Sequence, residues 1–269
     1  MNKVWHSGNK PRPDLAIFPE GTVSFKLLFT DGTVNKVPFL KNSLEWTANI
    51  YPCNPLKPTC TDVYRVNRTV RLLQIDIAVK DSRATKTSWV FGTFMYDGSR
   101  KGNTVWQRIV PVGLTWGDDS QVTDRMQDTG AFTNNKLSEV YINKELLTGY
   151  NELNDGKAYM RHFGLGGRLN GPVDNPTSSC ISCHARAAND AVGNAAALGK
   201  AGDAATYSLN DFQNFFKTLP AGSGAFQQNG ISYQQTDYSL QLAIGIRNYY
   251  WWQNRNLSLI HISEPTRPY

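Results

Sequence analysis

The chain has 269 residues, a formal net charge of +6, and 40% hydrophobic and 12% aromatic residues. That length and aromatic content exclude a disordered chain and allow one large domain or two modest ones. The basic excess is spread without a Lys/Arg block, so nothing marks a nucleic-acid surface, and no apolar run reaches the length of a membrane span.

Residues 1–19 read as an irregular lead-in. The first eighteen are polar, with Lys, Arg, Asp and two prolines, and are not a signal peptide. In 20–29, Val23, Phe25, Leu27 and Phe29 alternate, which predicts a half-buried strand with these four on its core face. Asp31-Gly32 is a hairpin signal, and 33–40 is the expected return strand. Residues 44–65 read as irregular, with Pro52, Pro55 and Pro58 interleaved around Cys53 and Cys60. In an oxidising compartment that pair would close a short disulfide loop.

Three stronger strands are expected at 70–79, 87–96 and 106–116, separated by Gly/Asp/Ser turns that favour an antiparallel sheet over βαβ units. After Asp118 the texture changes. Residues 136–147 fit a helix or a strand, 209–219 an amphipathic helix, and 238–252 is a strongly apolar stretch. The expected fold class is mainly β, an antiparallel sheet or sandwich, followed by a loop-rich, partly helical segment. The expected division is a β domain over 1–120, a second portion over 121–256, and a tail over 257–269. The tail resembles the translation of a transposase-type sequencing adapter, which would strike His261 from any set of ligands.

The stretch with the most chemistry is Cys180-Ile181-Ser182-Cys183-His184. C-x-x-C-H is the signature of covalent c-type haem attachment: two thiols add across the haem vinyl groups and the adjacent His becomes an axial iron ligand. The competing readings are a redox dithiol or half of a zinc site. A zinc site wants a further ligand pair at close spacing, whereas six residues separate Cys53 from Cys60. A redox dithiol would sit early in a βαβ unit, and this motif follows a Gly/Asn/Pro/Ser loop. The expectation is one haem c per chain, held by Cys180, Cys183 and His184. Because such haem is attached outside the cytoplasm, the expected location is the periplasm or another exported compartment, with a signal peptide preceding Met1 in the intact protein.

A sixth iron ligand is not evident. Between Ala185 and Asn256 there is neither Met nor His, so the nearest candidates are Met160 and His162 upstream. Met160 equally fits core packing, and His162 a hydrogen-bonded structural role. Arg161 and Asp76 are candidate polar residues of the pocket. An open iron position would take a small-molecule or gas ligand; a filled one would make a six-coordinate electron carrier.

Three blocks in order carry a family resemblance: Phe18-Pro-Glu-Gly-Thr-Val-Ser-Phe-Lys26; Ile75-Asp-Ile-Ala-Val-Lys-Asp81 with Ser88-Trp89-Val-Phe91 to Phe94; and Cys180-Ile-Ser-Cys-His184-Ala-Arg-Ala with Asn189-Asp190. Together they resemble cytochrome P-460 and its relative cytochrome c′-beta, antiparallel-sheet mono-haem proteins with the haem motif near the C-terminus. The resemblance leaves out 97–177, and the chain continues well past the motif. It implies that Lys26 falls where cytochrome P-460 has a lysine cross-linked to the porphyrin, whose activity is oxidation of hydroxylamine or a related nitrogen species, with electrons passed to a partner protein. If it is not cross-linked, the resemblance implies nitric oxide binding. An ordinary solvent-facing strand lysine is the alternative for Lys26.

Overall fold

A computed structural model describes residues 11–53, 60, 64–125, 134–145, 164–200, 203–222 and 224–260. Met160, Arg161 and His162, and residues 261–269 of the tail, lie outside the described residues. The fold is mainly β. A six-stranded antiparallel sheet comprises β1 (Val23–Thr30), β2 (Glu45–Ile50), β3 (Val66–Lys80), β4 (Trp89–Tyr96), β5 (Ile109–Thr115) and β6 (Val140–Ile142). Its order is β1-β3-β4-β5-β6, with β2 also pairing β3. A second sheet of three strands has the order β7-β9-β8, from β7 (Ala188–Asn189), β8 (Ala225–Gln228) and β9 (Ile231–Gln235). Three helices complete the described structure: α1 (Cys180–His184), α2 (Leu209–Phe215) and α3 (Leu240–Ile260). None is long and apolar enough to cross a membrane among the described residues.

The long β3 organises the main sheet. Its first third, Val66 to Arg71, pairs with β2, and its remainder, Arg71 to Val79, pairs with β1. Arg71 is paired with Thr30 of β1 and with Glu45 of β2, so the two short partners lie on opposite edges of this strand of 15 residues. Three expectations are corrected here. Residues 33–40 are not a return strand: they form a turn and the 3₁₀ segment Pro38–Leu40, and the partner of β1 is β3. Pro38 has no N–H to give to a ladder, and the buried Phe39 and Leu40 plug the core instead. Residues 44–65 are not wholly irregular, because β2 lies within them. The alternating apolar side of β1 does not face the core: Val23 is 59% and Phe25 70% exposed, with Leu27 exposed too. An alternating pattern identifies two faces of a strand, but which face is covered depends on what the rest of the chain lays against it.

The strands expected at 70–79, 87–96 and 106–116 are present as β3, β4 and β5, the last preceded by the 3₁₀ turn Trp106–Arg108. Within 136–147 the short β6 adds to β5. The expected helix over 209–219 is α2, capped by the Ser208 hydroxyl, which accepts from the Asp211 N–H, and buried through Phe212 and Phe215. The apolar stretch at 238–252 holds most of α3, which packs Leu242 and Ile246 on Ala16 of the lead-in. The hairpin β8–β9 turns at Asn229-Gly230, both at positive φ (52° and 76°), as a tight two-residue turn requires.

One core cluster joins Phe39, Leu40, Leu73, Met95, Val110, Val112 and Leu169 beneath β3–β5. A second joins Trp89 and Phe91 of β4 to Ile181 and Ala185 around α1 and to Tyr238. The C-x-x-C-H helix is therefore packed directly onto the inner face of the main sheet. Cys53 and Cys60 are joined by a disulfide.

Candidate functional site

Antiparallel register lays rows of side chains straight across a sheet, because residues opposite one another share a face. Lys26 on β1 is opposite Asp76 on β3, and Asp76 is opposite Thr93 on β4. The next row is Ser24–Ala78–Phe91, and beyond it Lys80 pairs with Trp89. These rows occupy the inner face, the one that α1 and the 237–241 segment cover. Here the chain lines a partly open cavity of ≈ 450 Å³, whose walls include Phe18, Lys26, Asp76, Ala78, Trp89, Phe91, His184 and Tyr238. That is the size and character of a small-molecule or cofactor site, mostly apolar with a few placed polar groups.

The polar row is tightly bonded. Lys26 Nζ lies 3.0 Å from Asp76 Oδ2. Asp76 Oδ1 accepts from Thr93 Oγ1 at 3.1 Å and from Gln74 Nε2 at 2.8 Å, and the same Gln74 amide reaches Asp174 Oδ2 at 2.8 Å. Lys26 thus lines the cavity with an ion-pair partner while its side chain stays part-exposed. Burial works against its charge, but Asp76 outweighs this and holds its pKa above the ordinary lysine value.

Ser179 nucleates α1. Its hydroxyl accepts from the Ser182 N–H while the Ser182 hydroxyl accepts from the Ser179 N–H, a reciprocal capping box closing a helix of only five residues. One turn of helix sets Cys180 and Cys183 three residues apart on one side. Both are free and half-buried. Cys180 Sγ approaches Thr93 Oγ1 at 3.9 Å, at the end of the polar row. Burial raises the pKa of both cysteines, helped at Cys180 by Asp76 and Asp174 and opposed at Cys183 by the Ser178 and Ser182 hydroxyls. Both therefore rest as thiols, not thiolates.

His184 ends the helix in the cavity wall. Its Nδ1 lies 2.9 Å from the carbonyl oxygen of Tyr238. A carbonyl can only accept, so Nδ1 carries the proton and Nε2 keeps a free lone pair. Burial lowers the imidazole pKa, the Tyr238 carbonyl opposes this, and Lys26 adds to the lowering, which keeps the ring neutral. Phe91 packs against it with ring centroids 4.7 Å apart.

The structure thus brings Lys26, Asp76, Cys180, Cys183 and His184 to one place from three separated stretches. Sequence reasoning missed Thr93, Gln74 and Tyr238, whose roles depend on register and on a loop carbonyl. Asp76, Lys26 and Thr93 could have been found together by aligning the three strands antiparallel, had the partner of β1 been known.

The residue types fit a haem c: two thiols on one helical turn and an adjacent neutral imidazole; of the three, His184 lines the aromatic-walled cavity and the two thiols do not. Among the described residues, no group of three or more His, Cys, Asp and Glu side chains converges as a metal site. Compared with family models, with curated proteins and with solved structures, the chain matches none.

Proposed function

We propose that this protein is an exported mono-haem c-type protein that binds or oxidises a small nitrogen compound, hydroxylamine or nitric oxide, beside His184. The observation that carries the reading is the position of His184: the last residue of a C-x-x-C-H helix, in the wall of a cavity, with Nδ1 committed to a carbonyl and Nε2 the unprotonated nitrogen. Cys180 and Cys183 would hold the cofactor, each S–H adding across a vinyl C=C with no atom lost, and His184 Nε2 would be its axial donor. When bound, the haem supplies an iron that exchanges single electrons and takes a small ligand.

The chain's own residues have definable tasks around it. Phe18, Trp89, Phe91 and Ala78 exclude water from the wall, which strengthens every polar contact made there. Lys26 Nζ is a hydrogen-bond donor to the oxygen of a small ligand, and an Asp76 carboxylate oxygen is the acceptor for a proton that such a ligand releases. Gln74 and Thr93 hold Asp76 in place for that role. The Cys53–Cys60 disulfide supports an oxidising compartment. Electrons from an oxidised ligand would pass to a partner protein.

The test is the absorption spectrum, oxidised and reduced, of protein matured with bacterial c-haem attachment machinery behind an added signal peptide, alongside Lys26→Ala. Covalent haem that is lost in Cys180→Ala/Cys183→Ala supports the reading, and its absence from the parent chain overturns it. A red-shifted reduced Soret band that reverts in Lys26→Ala marks a lysine cross-link and favours hydroxylamine oxidation. An unshifted spectrum with gas binding favours nitric oxide, and a low-spin six-coordinate spectrum that ignores added gas favours an electron carrier instead.

A further inference from the structure

Directly behind the His184 carbonyl partner is a buried carboxylate that the proposed chemistry does not use. Asp237 is fully buried and adjoins the cavity. It gathers donors from four separate parts of the chain. Lys80 Nζ, at the end of β3, meets Oδ1 at 2.6 Å and Oδ2 at 2.9 Å. Trp89 Nε1 of β4 donates at 3.2 Å, the Phe18 N–H of the lead-in at 2.8 Å, and the Gly222 N–H at 2.8 Å.

The backbone at this point is strained. Asp237 and Tyr238 are consecutive non-glycine residues at positive φ, 47° and 67°. Asp tolerates that region through its short polar side chain, whereas for Tyr it is an outlier that persists only where surrounding contacts impose it. Those contacts are visible. Besides the five donor contacts to the carboxylate, the Asp237 N–H donates to the Gly222 carbonyl at 3.1 Å, and the Tyr238 hydroxyl donates to the Leu219 carbonyl. The product of the strained pair is the direction of one carbonyl, that of Tyr238, which receives His184 Nδ1–H.

We propose that Asp237 is the positioning residue of the axial imidazole: its carboxylate, clamped by Lys80 and Trp89, holds the strained turn that aims the Tyr238 carbonyl at His184. The clamp selects the Nδ1–H tautomer, fixes the ring plane, and makes Nε2 a stronger donor. A carbonyl held at hydrogen-bond distance raises the basicity of the far nitrogen, the usual effect of an outer partner on a metal-bound histidine. The value of the inference for function rests on His184 being the ligand, but the tautomer is a property of the chain alone.

That separation decides the experiment. The first measurement is long-range ¹H–¹⁵N NMR of histidine-labelled full-length protein without haem, on the parent and on Asp237→Asn. The parent is expected to show a single Nδ1–H tautomer at His184 with slow proton exchange. Asp237→Asn, which puts an NH₂ among four donor groups, is expected to give a tautomer mixture and proton exchange at least tenfold faster, with the far-ultraviolet circular dichroism unchanged. A folded Asp237→Asn that keeps the parent signal overturns the proposal. Should Asp237→Asn fail to fold, Lys80→Met replaces it: Trp89, Phe18 and Gly222 still bond Asp237, a partial loss of the Nδ1–H signal is expected, and an unchanged signal overturns the proposal.

The second measurement is the reduction potential of the haem-loaded forms, which is expected to rise in the variant as the imidazole becomes a weaker donor. Absence of haem from the parent protein would overturn the function and leave the first measurement standing. A changed tautomer with an unchanged potential would overturn the claim that the clamp tunes the donor.

Discussion

Two buried carboxylates stand at opposite ends of the five-residue Cys180–His184 helix, and their surroundings differ sharply. Asp237, behind the His184 end, receives five donor contacts, two of them from the Lys80 ammonium. Asp118, at the Ser179 end, receives from the described residues a single side-chain bond, from Ser179 Oγ at 2.6 Å, and its Oδ2 has no hydrogen-bond partner among them. The Arg168 guanidinium is close by, with Nε 4.0 Å from Asp118 Oδ1, but its N–H groups go to the carbonyls of Asp118, Asp119, Val122 and Leu165. Burial therefore dominates at Asp118 and pushes its pKa up to about 7, against the pull of Arg168 and Ser179. The lesson is that depth alone does not determine what a buried acid does. The donors aimed at it do.

The largest expected effect follows from removing the better-partnered acid. Asp237→Ala leaves a buried ammonium, an indole N–H and two backbone N–H groups without their acceptor, and should cost about 3–5 kcal/mol of stability. Urea unfolding measures this, and a loss below about 1 kcal/mol would erase the contrast between the two sites.

At Asp118 the expected effect is on pH dependence. Its folded pKa of about 7 lies above the ordinary 3.8, so across that interval the native state keeps a proton that the unfolded chain has released. The stabilising contribution is fully present below about pH 4, falls as pH rises, and is gone above about 7, an amount on the order of 4 kcal/mol. Asp118→Asn still accepts from Ser179 and should lose this slope. Unfolding curves for both proteins at pH 4.5, 6 and 8 compare them, and parallel profiles would exclude Asp118 as the titrating group.

A smaller effect is expected at the cap. Ser179→Ala removes one arm of the capping box and the one hydrogen bond to the Asp118 side chain, for about 1–2 kcal/mol. Because Asp118 then loses a donor to its charged form, its pH transition should move upward as well. Equal stability of Ser179→Ala and the parent across pH would show that α1 is held by packing alone.

The least change in stability is expected at Lys26. The pair with Asp76 is part-exposed, with Lys26 41% and Asp76 21% accessible. Lys26→Met should shift stability by no more than about 1 kcal/mol. Under the proposed function its consequence would belong to ligand binding and to the haem spectrum, so a large loss of stability would mean that the polar row is structural.

Much of the fold was legible along the chain. The strands at β3, β4 and β5, the capped helix α2 and the antiparallel connection of the front half follow from alternation, turn residues and capping chemistry, all of which are local. The hairpin β8–β9 carried its own Asn229-Gly230 signal, which a closer reading would have used. What local patterns could not show was the partner of β1. Asp31-Gly32 resembles a hairpin turn, yet Pro38 and the buried Phe39 and Leu40 send the chain into the core, and β3 takes the place beside β1.

The candidate site divides in the same way. C-x-x-C-H points to the residues that would hold the proposed cofactor, because thioether and axial-ligand chemistry depends on five adjacent residues. Tertiary structure decided which face of β1 looks inward, and so that Lys26, Asp76 and Thr93 form one row in front of His184. It also decided that Tyr238, 54 residues along the chain, receives the His184 N–H, and that Asp237 anchors the turn that makes this possible. Such contacts arise from register and from strained loop geometry stabilised by distant donors, and neither leaves a periodic trace in the order of amino acids.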